Sequence, residues 1–176
     1  KRHPFTDKNG FPPFPSDPPE RVSDAELTER AEAAYEWNTR AISAATFAQR
    51  RRALMDQMGP NSIALLPAAP PANRNSDVEY PYRQNSDFYY LTGFPEPGAL
   101  AVLTPGSEQE YLLFCRERDP QMETWHGRRA GPQGAVKRYG ADNAYPIAKL
   151  DQLLPRLLEN REQVYYAIGH RPDFDR

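Results

Sequence analysis

The sequence predicts an α/β fold, a mixed sheet flanked by helices, on three observations. Short apolar runs bounded by turn residues recur at 62–69, 88–91, 99–103, 111–115 and 163–168, the pattern of buried strands. Between 147 and 158 the spacing becomes helical, with Leu150, Leu153, Leu154, Leu157 and Leu158 on one face. Strands paired first by a hairpin and later separated by helices make a mixed sheet with helices on its faces.

In chain order, residues 1–22 hold Pro4, Pro12, Pro13, Pro15, Pro18 and Pro19 with Phe5, Phe11 and Phe14 between them. Such a segment cannot build a core and reads as an extended arm or a linker. Ser23-Asp24-Ala25-Glu26 has capping-box form and predicts a helix over 24–42, within an amino-terminal helical region spanning 23–45. Thr46 to Gln49 repeats the signal, so a second helix should run to Gly59-Pro60 with Phe47, Leu54, Met55 and Met58 inward. Arg50, Arg51 and Arg52 would then spread around that helix as a solvated surface. The turn at 104–109 suits a hairpin. A short helix is expected over 131–139 ending at Gly140, Pro155 should kink or restart the helix over 147–158, and the last strand is 163–168.

A chain of 176 residues has room for one domain with a real core plus an appendage. Its net charge of −2 and pI near 6.0 supply no basic field for nucleic acid or an anionic membrane. No apolar run approaches the ~20 residues of a spanning helix, and the first residues show no signal-peptide core; a cytoplasmic protein is expected. Cys115 is the single cysteine, which excludes an internal disulfide and favours a reducing compartment. Inside the apolar run 111–115 it reads as a small buried hydrophobe rather than a reactive thiol. The chain starts at Lys1 rather than Met, as a processed protein or a piece of a longer one would.

Catalytic machinery is hard to find. The histidines His3, His126 and His170 are far apart, with no HExxH and no cysteine pair, so no metal site is expected here. There is no Gly-x-Ser-x-Gly elbow and no glycine-rich phosphate loop; no catalytic residue is assigned. The chemistry concentrates instead in Ser76 to Leu100, SDVEYPYRQNSDFYYLTGFPEPGAL, where Tyr80, Tyr82, Phe88, Tyr89, Tyr90 and Phe94 stand among Asp77, Glu79, Arg83, Asn85 and Asp87. Rings at this density bury large area while their hydroxyls seek partners, which suits a surface-lining segment of fixed geometry. Pro81 stiffens 77–84 as a loop, and Asn85-Ser86-Asp87 is turn chemistry. Farther on, Trp125 lies in ETWHGRR, either an anchor under a loop or a wall of a binding cleft.

The run SDVEYPYRQNSDFYYLTGFPEPGALAVL, followed by RERDPQMETWHGRRAG, strongly resembles the amino-terminal domain of aminopeptidase P, the Xaa-Pro aminopeptidases. The resemblance covers residues 46–176; residues 1–45 do not share it clearly. It implies a ribonuclease-H-like α/β domain followed by a metallopeptidase domain, expected to be absent here, that binds two manganese ions. It further implies a homo-oligomer, dimer or tetramer, acting on peptides with proline in second position. Within this family Trp125 matches a tryptophan that reaches into a neighbouring subunit's cleft, and Asp77 matches an aspartate near the same site. Asp77 otherwise reads as a turn-capping carboxylate after Ser76. Tyr80, Tyr82, Arg83, Arg128 and Arg129 are expected in structural or intersubunit contacts, with Arg83 and the arginine pair bonded to Asp77, Glu79 or Asp87. The alternative function is a free-standing peptide- or protein-binding adaptor of the same fold.

Overall fold

Ser43 opens the first described helix of the computed structural model, which describes residues 23, 42–75, 78–121, 123 and 127–169. From residue 42 on these belong to one unit, Ala41–Arg176. The proline-rich arm and, up to residue 41, the helix expected at 24–42 lie outside the described residues.

Helix α1 (Ala44–Met58) begins where the Ser43 hydroxyl accepts from the Thr46 amide at 3.2 Å. Ser43 is therefore the cap and Thr46 sits inside the first turn, which moves the start earlier than expected. The helix stops at Gly59, φ 79°, before Pro60. Its buried residues are Phe47, Arg51, Met55 and Met58, one face at helical spacing. Arg51 corrects the reading of a solvated arginine run: it is only 5% exposed, donates to the Leu91 carbonyl at 3.0 Å, and lies 4.0 Å over the Tyr111 ring. Arg50 stacks over Tyr90 and donates to its carbonyl, and Arg52 pairs with Glu110. The three arginines thus have three different partners.

The second correction concerns residues 88–91, expected as a strand and found in helix α2 (Ser86–Thr92). Aromatic residues favour strands, but local chemistry decides here. Asn85 Oδ1 accepts from the amides of Asp87 and Phe88 at 2.9 and 3.1 Å, and Gly93 closes the other end in the left-handed region at φ 65°. A strand would place Phe88 and Tyr90 on one face; instead Phe88 is 1% and Tyr90 55% exposed, while Phe88, Leu91 and Thr92 are buried together.

The sheet contains β1 (Ser62–Pro67), β4 (Leu100–Leu103), β5 (Tyr111–Cys115), β6 (Asn143–Pro146) and β7 (Gln163–Tyr166), in the order β6-β5-β4-β1-β7. Strand β4 is antiparallel to both neighbours, while β1 pairs with β7 and β5 with β6 in parallel; the sheet is mixed, as the sequence predicts. Strands β1 and β7 are shorter than expected. Strand β6 was not anticipated, because Asn-Ala-Tyr-Pro offers no apolar run and takes a sheet-edge place where proline is tolerated. A separate ribbon pairs β2 (Asn73–Asn75) with β3 (Val78–Glu79); β3 falls inside 77–84, which reads from the sequence as a loop.

Register sorts the side chains. Leu112 stands opposite Val102, and Val102 opposite Leu65, so these three share a face with Ile63, Leu100 and Phe114 under helix α4 (Leu150–Leu158). Full burial of each large side chain contributes about 2 kcal/mol. Helix α4 runs through Pro155 without restarting; Pro155 and Asp151 are both exposed, so the carbonyl that loses its amide partner lies on the solvent side. On the opposite face Phe94 meets Phe88 of α2 and Tyr139 of α3 (Gly131–Tyr139) edge to face, at 6.5 and 4.8 Å. Cys115 is fully buried and its thiol is pushed up to about 12 by that burial, so it packs rather than reacts. Among the described residues no helix is long and apolar enough to cross a membrane.

Gly93 joins α2 to the core at close quarters: a Cβ there would stand 2.6 Å from the Phe47 ring, on a backbone at φ 65°. Gly93→Ala is expected to lower stability by about 2 to 3 kcal/mol in urea denaturation. Gly106→Ala, at φ 76° with nothing within 4 Å, should cost only the backbone share of about 1 kcal/mol; equal losses would contradict the packing argument.

Candidate functional site

At the end of the sheet where β1 and β5 finish and β4 begins, several connections meet, and one side chain ties most of them. Gln84 Oε1 accepts from the Ala69 amide at 2.8 Å, the Asn85 amide at 2.9 Å and the Tyr82 hydroxyl at 2.9 Å. Its Nε2 donates to the carbonyls of Phe94 and Glu96 at 3.2 and 2.9 Å. The exit of β1, the aromatic segment, the cap of α2 and the segment entering β4 are thereby fixed to one another. The single Tyr82 hydroxyl proton is shared between the Gln84 oxygen and the Ala69 carbonyl at 3.0 Å.

Glu96 is the second fastening point. It lies between Pro95 and Pro97, is 7% exposed, and its Oε1 accepts from the Ala130 amide at 2.6 Å. Arg116 approaches its other oxygen at 3.7 Å. Glu96 Oε2, Arg116 Nε and Arg129 Nε are buried without a hydrogen-bond partner among the described residues. Burial raises the Glu96 pKa against the Ala130 hydrogen bond and the charges of Arg116, Arg138 and Arg129. Cys115 is also within electrostatic reach of this carboxyl.

The connection from β5 to α3 is cross-braced. Arg118 holds the Glu123 carboxylate by two hydrogen bonds of 3.1 Å, which keeps that carboxyl below its ordinary range. Arg129 donates to the Glu117 carbonyl at 3.3 Å. A groove of about 510 Å³ runs over this connection, bordered by Arg116, Arg118 and Arg129 and also by Glu117 and Asp119; with both signs present it selects no single charge.

Of the residues singled out from sequence, Trp125 and Asp77, with His126, lie outside the described residues. Residues 76 and 77 fall in sequence between the paired strands β2 and β3, and 124–126 fall between Glu123, held by Arg118, and Ala130, held by Glu96. Tyr80 is exposed, as are Arg83 and Arg128. Among the described residues no ion pair joins Arg83 to Asp87. Gln84 and Glu96 were missed by sequence reasoning. Glu96 left one signal, an acid locked between two prolines; Gln84 left none, because its role is made entirely of contacts across the fold. Among the described residues no three His, Cys, Asp or Glu side chains are grouped to hold a metal ion.

The Glu96 environment has a pH consequence. A carboxyl whose pKa is raised on folding holds more protons folded than unfolded, so its stabilising contribution is full below the ordinary value near 4.5 and is lost as pH rises through the folded value. Glu96→Gln is uncharged throughout. Wild type should therefore gain stability relative to Glu96→Gln as urea denaturation is repeated from pH 7 down toward 4.5; a gap independent of pH would contradict it.

A family model described as the aminopeptidase P amino-terminal domain matches residues 47–165. The chain is 46% identical over 130 residues to the Xaa-Pro aminopeptidase of Escherichia coli, covering 73% of this chain and 30% of that protein. It is 32% identical over 141 residues to human Xaa-Pro aminopeptidase 3, covering 28% of it. Among solved structures, Pseudomonas aeruginosa aminopeptidase PepP superposes with a TM-score of 0.74 at 61% identity, over 76% of this chain and 30% of that one. The low-pH form of E. coli aminopeptidase P gives 0.72 at 45%, over 76% and 31%. The chain thus spans about 30% of the length of the first of these relatives.

Proposed function

Because the chain belongs to the aminopeptidase P amino-terminal domain family, we propose that it serves as the non-catalytic part of a longer Xaa-Pro aminopeptidase, shaping the substrate cleft and mediating assembly into a homo-oligomer. The observation that carries this reading is the family match over 47–165 by a chain that corresponds to less than a third of the enzymes it resembles. The two manganese ions implied for such an enzyme do not fit the residues described here, which offer no grouped ligands. They would be held by another part of the parent enzyme.

The physical task of such a wall follows from the substrate. A bond to proline is a tertiary amide with no N–H to recognise, so selectivity must come from shape and from holding the free amino end. Trp125 would supply an apolar wall and Asp77 a negative charge on the approach for a cationic amino terminus, in the cleft of a neighbouring subunit. The braces at Gln84 and Glu96 support this reading by fixing the described residues on one side of each. Tyr80, Tyr82, Arg83, Arg128 and Arg129 would take structural or intersubunit contacts. A cytoplasmic location accords with the lone, buried Cys115.

The purified 176-residue chain is expected to release no amino-terminal residue from Xaa-Pro peptides, with or without added manganese; measurable turnover would refute the division of labour. In the longer parent protein, Trp125→Ala should lower kcat/KM for such a peptide by about tenfold, roughly 1.4 kcal/mol of transition-state stabilisation, with little change in Tm. A loss that merely tracks unfolding would make Trp125 an anchor.

A further inference from the structure

We propose that Glu96 Oε2, Arg116 Nε and Arg129 Nε enclose a binding site for one internal water molecule, which completes the joint between the segment entering β4 and the start of α3. All three side chains belong to described residues, and the site is independent of the cleft reading above.

Three buried atoms define the place. Glu96 is 7% exposed, and while its Oε1 accepts from the Ala130 amide at 2.6 Å, its Oε2 has no hydrogen-bond partner among the described residues. Arg116 Nε and Arg129 Nε are buried in the same condition. Both guanidiniums are held beside this carboxylate. Arg116 Nη2 stands 3.7 Å from Oε2, too far for a direct hydrogen bond and within the reach of a bridging water. The Arg116 stem lies against Gly98, 3.3 Å from where a Cβ would stand, which sets where its guanidinium sits. Arg129 directly precedes Ala130, and it donates to the carbonyl of Glu117, the residue after Arg116, at 3.3 Å. The charges of both arginines act on the Glu96 carboxyl.

The polarity of the three atoms selects the ligand. Two N–H groups need an acceptor, and one carboxylate oxygen needs a donor. Water meets both needs from a single oxygen atom, with the about three hydrogen bonds usual for a buried water. A halide or a carboxylate would satisfy the two N–H groups but bring a second negative charge against Glu96, and a cation would face two guanidiniums. Arg116 and Arg129 also border the groove of about 510 Å³ over the connection from β5 to α3, so solvent enters between them. Burying a carboxylate is costly unless it is hydrogen-bonded; the Ala130 amide serves one oxygen and the water serves the other.

The test has two arms. The 176-residue chain is crystallised at pH 7 with bromide as the only halide, and data are collected at the bromine absorption edge at a resolution that shows ordered water. The expected result is one density peak without anomalous signal, at hydrogen-bond distance from all three atoms. In solution, the Nε–H protons of Arg116 and Arg129 should both show nuclear Overhauser cross-peaks to water with the sign of a long-lived contact. Arg116→Lys and Arg129→Lys, each of which removes one of these signals, assign them. An anomalous bromide peak at the site overturns the inference in favour of an adventitious ion only. A direct hydrogen bond from either arginine to Oε2 in place of the density peak, or Nε–H protons without a long-lived water contact, also overturns it. If the chain does not crystallise, the solution arm decides.

Discussion

The hydrogen bonds of Gln84 are the constraint on which this end of the molecule depends. A primary amide offers two donors and one oxygen, and here both donors and the oxygen are engaged, the oxygen by three groups. The bonds differ little from ordinary ones individually, about 1 kcal/mol net each. Their importance is that they fall on backbone groups of connections that have no sheet or helix to satisfy them. Glutamate could not replace it, because an ionised carboxylate cannot donate to the carbonyls of Phe94 and Glu96. With these groups satisfied, the connections at this end of the sheet are fixed to one another.

Beneath that brace the α1 face of the sheet is built around an unusual choice, the cation of Arg51 in a core position. Burial lowers its pKa, with Tyr111 and Asp142 opposing. The guanidinium remains charged and is used as a flat plate, stacked on Tyr111 and bonded to Leu91. It therefore links α1, α2 and β5 at one point, with Phe47 against Tyr89 alongside. Positioning α2 matters because its cap is Asn85, one residue from Gln84, so packing under the sheet and hydrogen bonding at its end specify the same geometry.

Much of this was legible in the sequence where the signal is local. Strand β5 and helix α3 have the expected bounds, since an apolar run and a glycine stop each leave little choice. The mixed sheet and its hairpin also follow from pattern alone. Residues 88–91 did not, because aromatic composition favours a strand while Asn85 and Gly93 close a single short helix around it. Arg51 could not be told from Arg50 and Arg52 without knowing which face met the sheet. At the candidate site, the aromatic segment was visible by its density, whereas Gln84 and Glu96 act through partners up to 34 positions away, which no local pattern encodes.

Gln84 braces the end of the sheet by joining the exit of β1, the cap of α2 and the segment entering β4. Amide hydrogen exchange tests this directly in the chain itself, by comparing wild type with Gln84→Ala at the Ala69 and Asn85 amides. Both amides are expected to be protected in wild type and to lose protection together in the variant, while Val102 and Leu112 in the sheet stay slow. Free exchange at Ala69 and Asn85 in the wild type, or protection that survives the substitution, would contradict it.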